Sequence, residues 1–220
     1  MNLSSRRRVN FWLVLLSAII ITFGWWVAKC LAGYMITVRY YWDYEPFATA
    51  CYGTFFLLLL VCPYQKWVAD LPLGRLRGCG AIWLAAAVTV LYFAFYGLEK
   101  ITIIPSGSYI SEILDVSSIQ ALVVTFIALF IFRPVGEEII FRGVLLNVFK
   151  SKRLWVLWIG TLITAWLFAS MYGQYRHFSI SVKYFILALL LTIARVRSNG
   201  LILPILLNAE AALMAVILES

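Results

Sequence analysis

Charged side chains are scarce in this sequence: Asp, Glu, Lys and Arg supply 13% of its 220 residues, whereas 64% are hydrophobic and the mean hydropathy is +0.93. That shortage excludes an ordinary soluble domain, in which about a quarter of the residues carry charge. Histidine occurs once, at His177, and cysteine at Cys30, Cys51, Cys62 and Cys79, without CxxC or Cys/His spacing. The cysteines therefore read as packing residues rather than as a redox pair or zinc ligands. Internal repeats and low-complexity tracts are also missing. The formal charge of +8 comes without a basic tail or a one-faced basic patch, so nucleic acid is not expected as a partner.

What the chain does have is apolar sequence in blocks of membrane-crossing length. Its length allows roughly six to eight spans of about 20 residues and leaves no room for a separate soluble domain. Seven blocks are legible, at about 10–38, 45–62, 79–98, 119–150, 154–172, 183–195 and 201–218, each bounded by Pro, Gly or charge. The expected fold is all-α: one membrane domain over 1–220, a polytopic transmembrane helix bundle with a polar site inside. The first block follows Arg6, Arg7 and Arg8, is too long for a signal-peptide core and lacks a small-residue cleavage site, so it is expected to stay as the first span.

The connections orient the bundle. Alternate boundaries carry Arg6, Arg7 and Arg8, then Lys66, Arg75 and Arg77, then Lys150, Lys152 and Arg153, then Arg195 and Arg197. The opposite boundaries hold fewer cations, Arg39, Lys100, Arg176 and Lys183, together with Asp43, Glu45, Glu99, Glu112 and Asp115. The positive-inside rule then puts the N-terminus in the cytoplasm and the C-terminus outside. Trp25, Trp26, Trp42, Trp67, Trp155 and Trp158 fall near span ends, as interfacial aromatics should. The longest connection, 99–118, contains Pro105-Ser106-Gly107-Ser108 and reads either as a plain loop or as an element lying over a site.

Against this background the run Gly136-Glu137-Glu138-Ile139-Ile140-Phe141-Arg142-Gly143 stands out. An ionised side chain near the centre of a span costs about 2.5 to 3.5 kcal/mol on insertion scales, so such charges are paired or used. Arg133 precedes Glu137 by four residues and Glu138 precedes Arg142 by four, the spacing of neighbours on one helix face. The two glutamates, being consecutive, point about 100° apart, so one can face a cavity while the other holds a salt bridge. Pro134 and Gly136, just before them, predict a kink. By spacing alone the cluster fits either a charge-neutral packing clamp or a functional site.

The run Glu-Glu-x-x-x-Arg within 134–146 resembles the first motif of the CAAX-processing and bacteriocin-processing (CPBP, or Abi) family of intramembrane proteases. The resemblance covers about 119–213, which it marks as the catalytic core region. Trp166-Leu167-Phe168-Ala169-Ser170 is similar to the start of the second motif, Phe-x-x-x-His, but Tyr172 stands where the histidine is expected. The stretch from Ile186 through Leu201 to Asn208 resembles the approach to the third motif, His-x-x-x-Asn, with Asn208 in place of the histidine and Ala212 in place of the asparagine.

The resemblance implies that Glu137 activates a water, that Arg142 orients Glu138, and that Tyr172 and Asn208 serve as hydrogen-bonding groups. Arg133, Phe168 and Glu210 are additional candidates. Tyr172 and Asn208 can each donate a hydrogen bond, but neither is a general base near neutral pH. Two adjacent glutamates without imidazole make a poor metal site, so no metal or other cofactor is expected. His177 lies about 140° around a continuous helix from Tyr172 and would return to the site only if Gly173 broke that helix.

Two hydrolytic mechanisms stay open: Glu137 as base with Glu138 and Arg142 in support, or Glu137 and Glu210 as a dyad sharing a proton. The substrate implied is a peptide or membrane protein met within a lipid bilayer, and a bacterial inner membrane is the favoured setting. The contrasting reading is a catalytically degenerate member that acts by binding, as in bacteriocin or microcin immunity or peptide maturation. A transporter ranks last, because inverted repeats and paired broken helices are not visible. The oligomeric state is left open.

Overall fold

The computed structural model describes residues 11–36, 41–76, 80–102, 116–151, 153–172 and 178–219. Seven helices run through them: α1 (Phe11–Tyr34), α2 (Tyr41–Trp67), α3 (Gly80–Thr102), α4 (Ile119–Val148), α5 (Leu154–Tyr172), α6 (Phe178–Ser198) and α7 (Ile202–Glu219). No strand occurs among the described residues. In lipid the backbone must satisfy its own polar groups, and a helix does so within a single segment.

The first six helices are long and apolar enough to cross a membrane, while the apolar part of α7, Ile202–Leu218, is shorter. At 1.5 Å per residue its 17 residues extend about 25 Å, a few ångströms less than a bilayer core of about 30 Å. The expected all-helical bundle with seven apolar helices is therefore what the chain forms. Residues 103–115 lie outside the described residues and take with them Pro105 to Ser108, Glu112 and Asp115, as do 1–10, 37–40, 77–79, 152, 173–177 and 220. His177 and Gly173 are among these.

α4 is the central helix. The α1–α2 hairpin packs on one side of it, α5, α6 and α7 on the other, and α3 lies against α6 and α7. Its backbone is not uniform: α-helical Ile119–Ile127 gives way to a π turn over Ala128–Phe132, then α-helical Arg133–Glu138, then a second π turn over Ile139–Leu145. At the expected kink, then, the structure has a pair of widened turns flanking the carboxylates. Proline explains part of this, since Pro134 has no N–H to give to the preceding turn. The Phe132 carbonyl accepts a hydrogen bond from Thr54 Oγ1 of α2 at 2.7 Å. A Cβ at Gly136 would stand 2.7 Å from that same Oγ1, so only glycine permits α2 to come this close.

One end of the bundle is tied by backbone. The extended segment after α2 lies against the α6–α7 turn, with Leu201 N bonded to Pro72 O at 3.1 Å, Ile202 N to Leu73 O at 3.1 Å and Arg75 N to Ser198 O at 3.2 Å. Gly74, at φ +81°, and Gly200 meet backbone to backbone where no side chain would fit. At the other end Asp43 accepts hydrogen bonds from Ser117 N and Ser117 Oγ, joining the start of α2 to the entrance of α4.

Three expectations are corrected by packing. Trp25 is buried at 6% exposure inside the bundle rather than interfacial, because α1 lays this face on α2 and α4. Lys183 is not a connection residue: it is 3% exposed within α6, its ammonium 5.2 Å from the Tyr92 ring centroid. Glu45 likewise belongs to α2.

Candidate functional site

The two adjacent carboxylates face different surroundings, as their 100° offset requires. Glu138 is fully buried and Arg142, one turn on, donates from Nη1 to its Oε1 at 3.0 Å. Nη2 of Arg142 donates to the Ala188 carbonyl of α6 at 3.1 Å, and its guanidinium carbon sits 4.6 Å from the centroid of the Phe168 ring. Phe168 is itself wedged edge-on to Phe141 at 5.2 Å. Arg195, also on α6, donates from Nε to the Arg142 carbonyl at 3.2 Å, so α6 grips this arginine by side chain and backbone.

Glu137 is 4% exposed and lines a cavity of about 830 Å³. Its Oε1 accepts from Arg133 Nε at 3.0 Å and from Tyr172 Oη at 2.7 Å, and its Oε2 from Asn208 Nδ2 at 3.0 Å. The same Asn208 Nδ2 donates to Glu138 Oε1 at 3.1 Å, so one amide bridges the two carboxylates with its two hydrogens. Tyr172 is fixed by a stack on Tyr184, 3.7 Å between centroids and 12° between planes, with the Arg133 guanidinium 4.9 Å from its ring. Three donors on one carboxylate leave about one of its four lone-pair sites for the cavity. Such a group is held in a fixed orientation and keeps room for one more hydrogen bond from the cavity.

The structure thus brings Arg133, Glu137, Glu138, Arg142, Phe168, Tyr172 and Asn208 together. It does not bring Glu210. Two residues beyond Asn208, about 200° around α7, Glu210 accepts a hydrogen bond from Thr89 of α3 at 2.9 Å. A Glu137–Glu210 dyad is therefore not formed. Glu137 faces the cavity and Glu138 holds the buried salt bridge to Arg142, as the 100° offset allows, and Glu137 in addition pairs with Arg133.

The cavity walls come from both halves of the chain. α1, α2, α4 and α5 line the cavity, and α7 reaches the site from behind through Asn208. The reason is that the α1–α2 hairpin covers the π-turn face of α4. This adds Lys29 and Glu45 to the cavity wall. Lys29 sits 4.8 Å from the Trp25 ring centroid, and its ammonium makes no ion pair among the described residues. An isolated lysine in the first apolar block was the available signal for it. A metal does not suit the site: three of the four Glu137 and Glu138 oxygens already accept from Arg, Tyr or Asn, and among the described residues no three His, Cys, Asp or Glu side chains group as ligands.

Fold and site define a class: a membrane-embedded helical bundle with hydrogen-bonded paired carboxylates at the foot of an internal cavity. Residues 119–214 match the family described as type II CAAX prenyl endopeptidase Rce1-like. An uncharacterized 24.3 kDa protein of Escherichia coli is 36% identical over 163 residues, 74% of this chain and 75% of that protein. The chain belongs to the Rce1-like, or CPBP, family of intramembrane CAAX-type proteases. No solved structure matches it.

Proposed function

We propose that this protein is an intramembrane endopeptidase centred on Glu137, acting on a peptide or membrane-protein substrate. The observation that carries the reading is the Glu137 carboxylate, buried at a cavity wall and oriented by Arg133, Tyr172 and Asn208. In the reaction Glu137 takes a proton from a water as the water oxygen adds to the scissile carbonyl carbon. Arg133 and Lys29 are the cations nearest to hand for the developing oxyanion. Collapse of the tetrahedral intermediate breaks the C–N bond, and the proton passes from Glu137 to the leaving amine. Glu138 and Arg142 tie this part of α4 to the Ala188 carbonyl of α6, and Asn208 couples the two carboxylates. The domain core at 119–213 performs the chemistry, in a bacterial inner membrane, with the N-terminus cytoplasmic and the C-terminus outside.

The departure from histidine at Tyr172 and Asn208 favours a second reading, in which the cavity binds a peptide without cutting it, as in bacteriocin or microcin immunity. The two are separated by Glu137→Gln in cells that carry the natural genomic neighbours of this gene. A neighbouring secreted peptide should persist there as uncut precursor. Normal processing with lost tolerance of that peptide supports the binding reading, and no change in either removes Glu137 from the centre of function.

A further inference from the structure

The cavity has a direction. Its walls come from the middle of α1, the first half of α2 and the last turns of α5, while α4 runs along its length from Ala128 to Leu145, the deepest lining residue toward the basic end. The α2 and α5 segments adjoin the α1–α2 and α5–α6 connections, the end remote from Lys66, Arg75, Lys150, Arg153, Arg195 and Arg197. Of the polar lining residues that are not fully buried, Lys29, Glu45, Thr49 and Ser170 lie toward that remote end, and Thr22 and Arg133 lie midway along their helices. At the basic end, backbone pairing of Pro72, Leu73 and Arg75 with Ser198, Leu201 and Ile202 closes the bundle.

Resting on the proposed peptidase reading, we infer that the cavity is entered from the membrane face opposite the basic connections, the extracytoplasmic one. Its occupant is a short translocated peptide segment, extended and mostly apolar, that meets Lys29 and Glu45 before Glu137. Size decides against a whole transmembrane helix. A cavity of 830 Å³ would hold a helix of about 10–12 Å diameter for only about 9 Å of its length. Charge decides for a peptide over a bare lipid chain. Two ionisable groups beside Trp25, Trp26 and Leu129 suit a chain with polar backbone and apolar side chains.

Thiol labelling tests the direction without needing activity. In a background with Cys30, Cys51, Cys62 and Cys79 replaced by alanine, Thr49→Cys and, in a second variant, Ser170→Cys mark the cavity mouth. Arg153→Cys marks the basic end. A membrane-impermeant maleimide should label both mouth variants in intact bacterial cells and lose them in sealed inside-out vesicles, with Arg153→Cys the reverse. Mouth labelling confined to inside-out vesicles, or absent from both preparations while Arg153→Cys reacts, overturns the inference. Loss of processing in Glu137→Gln has no bearing on this result, so the two readings stand or fall separately.

Discussion

The α1–α2 hairpin and the α4–α7 core are built from equally apolar helices, yet they are buried to different depths. In α1 and α2, 22% of the best apolar window is buried inside the bundle, against 44% in α6. The core includes the family-matched stretch 119–214 and every group that holds the two carboxylates. The hairpin lies outside that stretch and supplies Lys29 and Glu45 to the cavity. The lesson is a division of labour in which one region holds the paired carboxylates and the other supplies much of the cavity wall in front of them.

The sharpest way to break that contrast is to strike the core. Arg142→Leu leaves Glu138 as an uncompensated buried charge and should cost about 3–5 kcal/mol, seen as a lowered thermal transition in detergent. Removing both partners in Glu138→Leu/Arg142→Leu should recover most of the loss. If the single variant is as stable as the parent, the pairing of these groups is wrong. Tyr172→Phe keeps the stack on Tyr184 and deletes one donor to Glu137, at about 1.5–3 kcal/mol for a hydrogen bond to a charged group. Its processing activity should fall while its folded yield stays near that of the parent.

At the seam between the regions Gly136→Ala pushes a methyl group against Thr54 and should cost about 1–3 kcal/mol, by the same thermal measurement. Within the hairpin Lys29→Met gives up its contact with Trp25, about 0.5–1 kcal/mol of stability, and one of the two cations proposed to face the oxyanion, so processing should fall, and its peptide preference change, while the thermal transition barely moves. A hairpin variant that unfolds the protein as Arg142→Leu does would erase the distinction.

The hydrophobic blocks were readable because lipid demands long apolar segments, and all seven helices fall where those blocks lie. The Arg133–Glu137 and Glu138–Arg142 pairs were equally readable, since i,i+4 spacing within one helix needs no knowledge of neighbours. Tyr172 and Asn208 came only through resemblance to motif positions. Lys29, Thr54 and Arg195 were missed as site neighbours because their places depend on which helices pack together, and near-uniform hydrophobicity in lipid carries little trace of that. The π turns escaped notice as well, because the residues of 139–145 read as ordinary helix.

The two intrahelical ion pairs also bear on how the chain is made. The charges of α4 are Arg133, Glu137, Glu138 and Arg142, two of each sign within ten residues. Asn208 follows Arg142 by 66 residues, about 3–13 s later at a synthesis rate of about 5–20 residues per second. During that interval the glutamates have no amide to bridge them, and until Ala188 is made, 46 residues after Arg142, no α6 carbonyl anchors their arginine. A span that already sums to zero charge can leave the translocon and wait in lipid, whereas one relying on a cation from a later helix would have to be held back until that helix emerged.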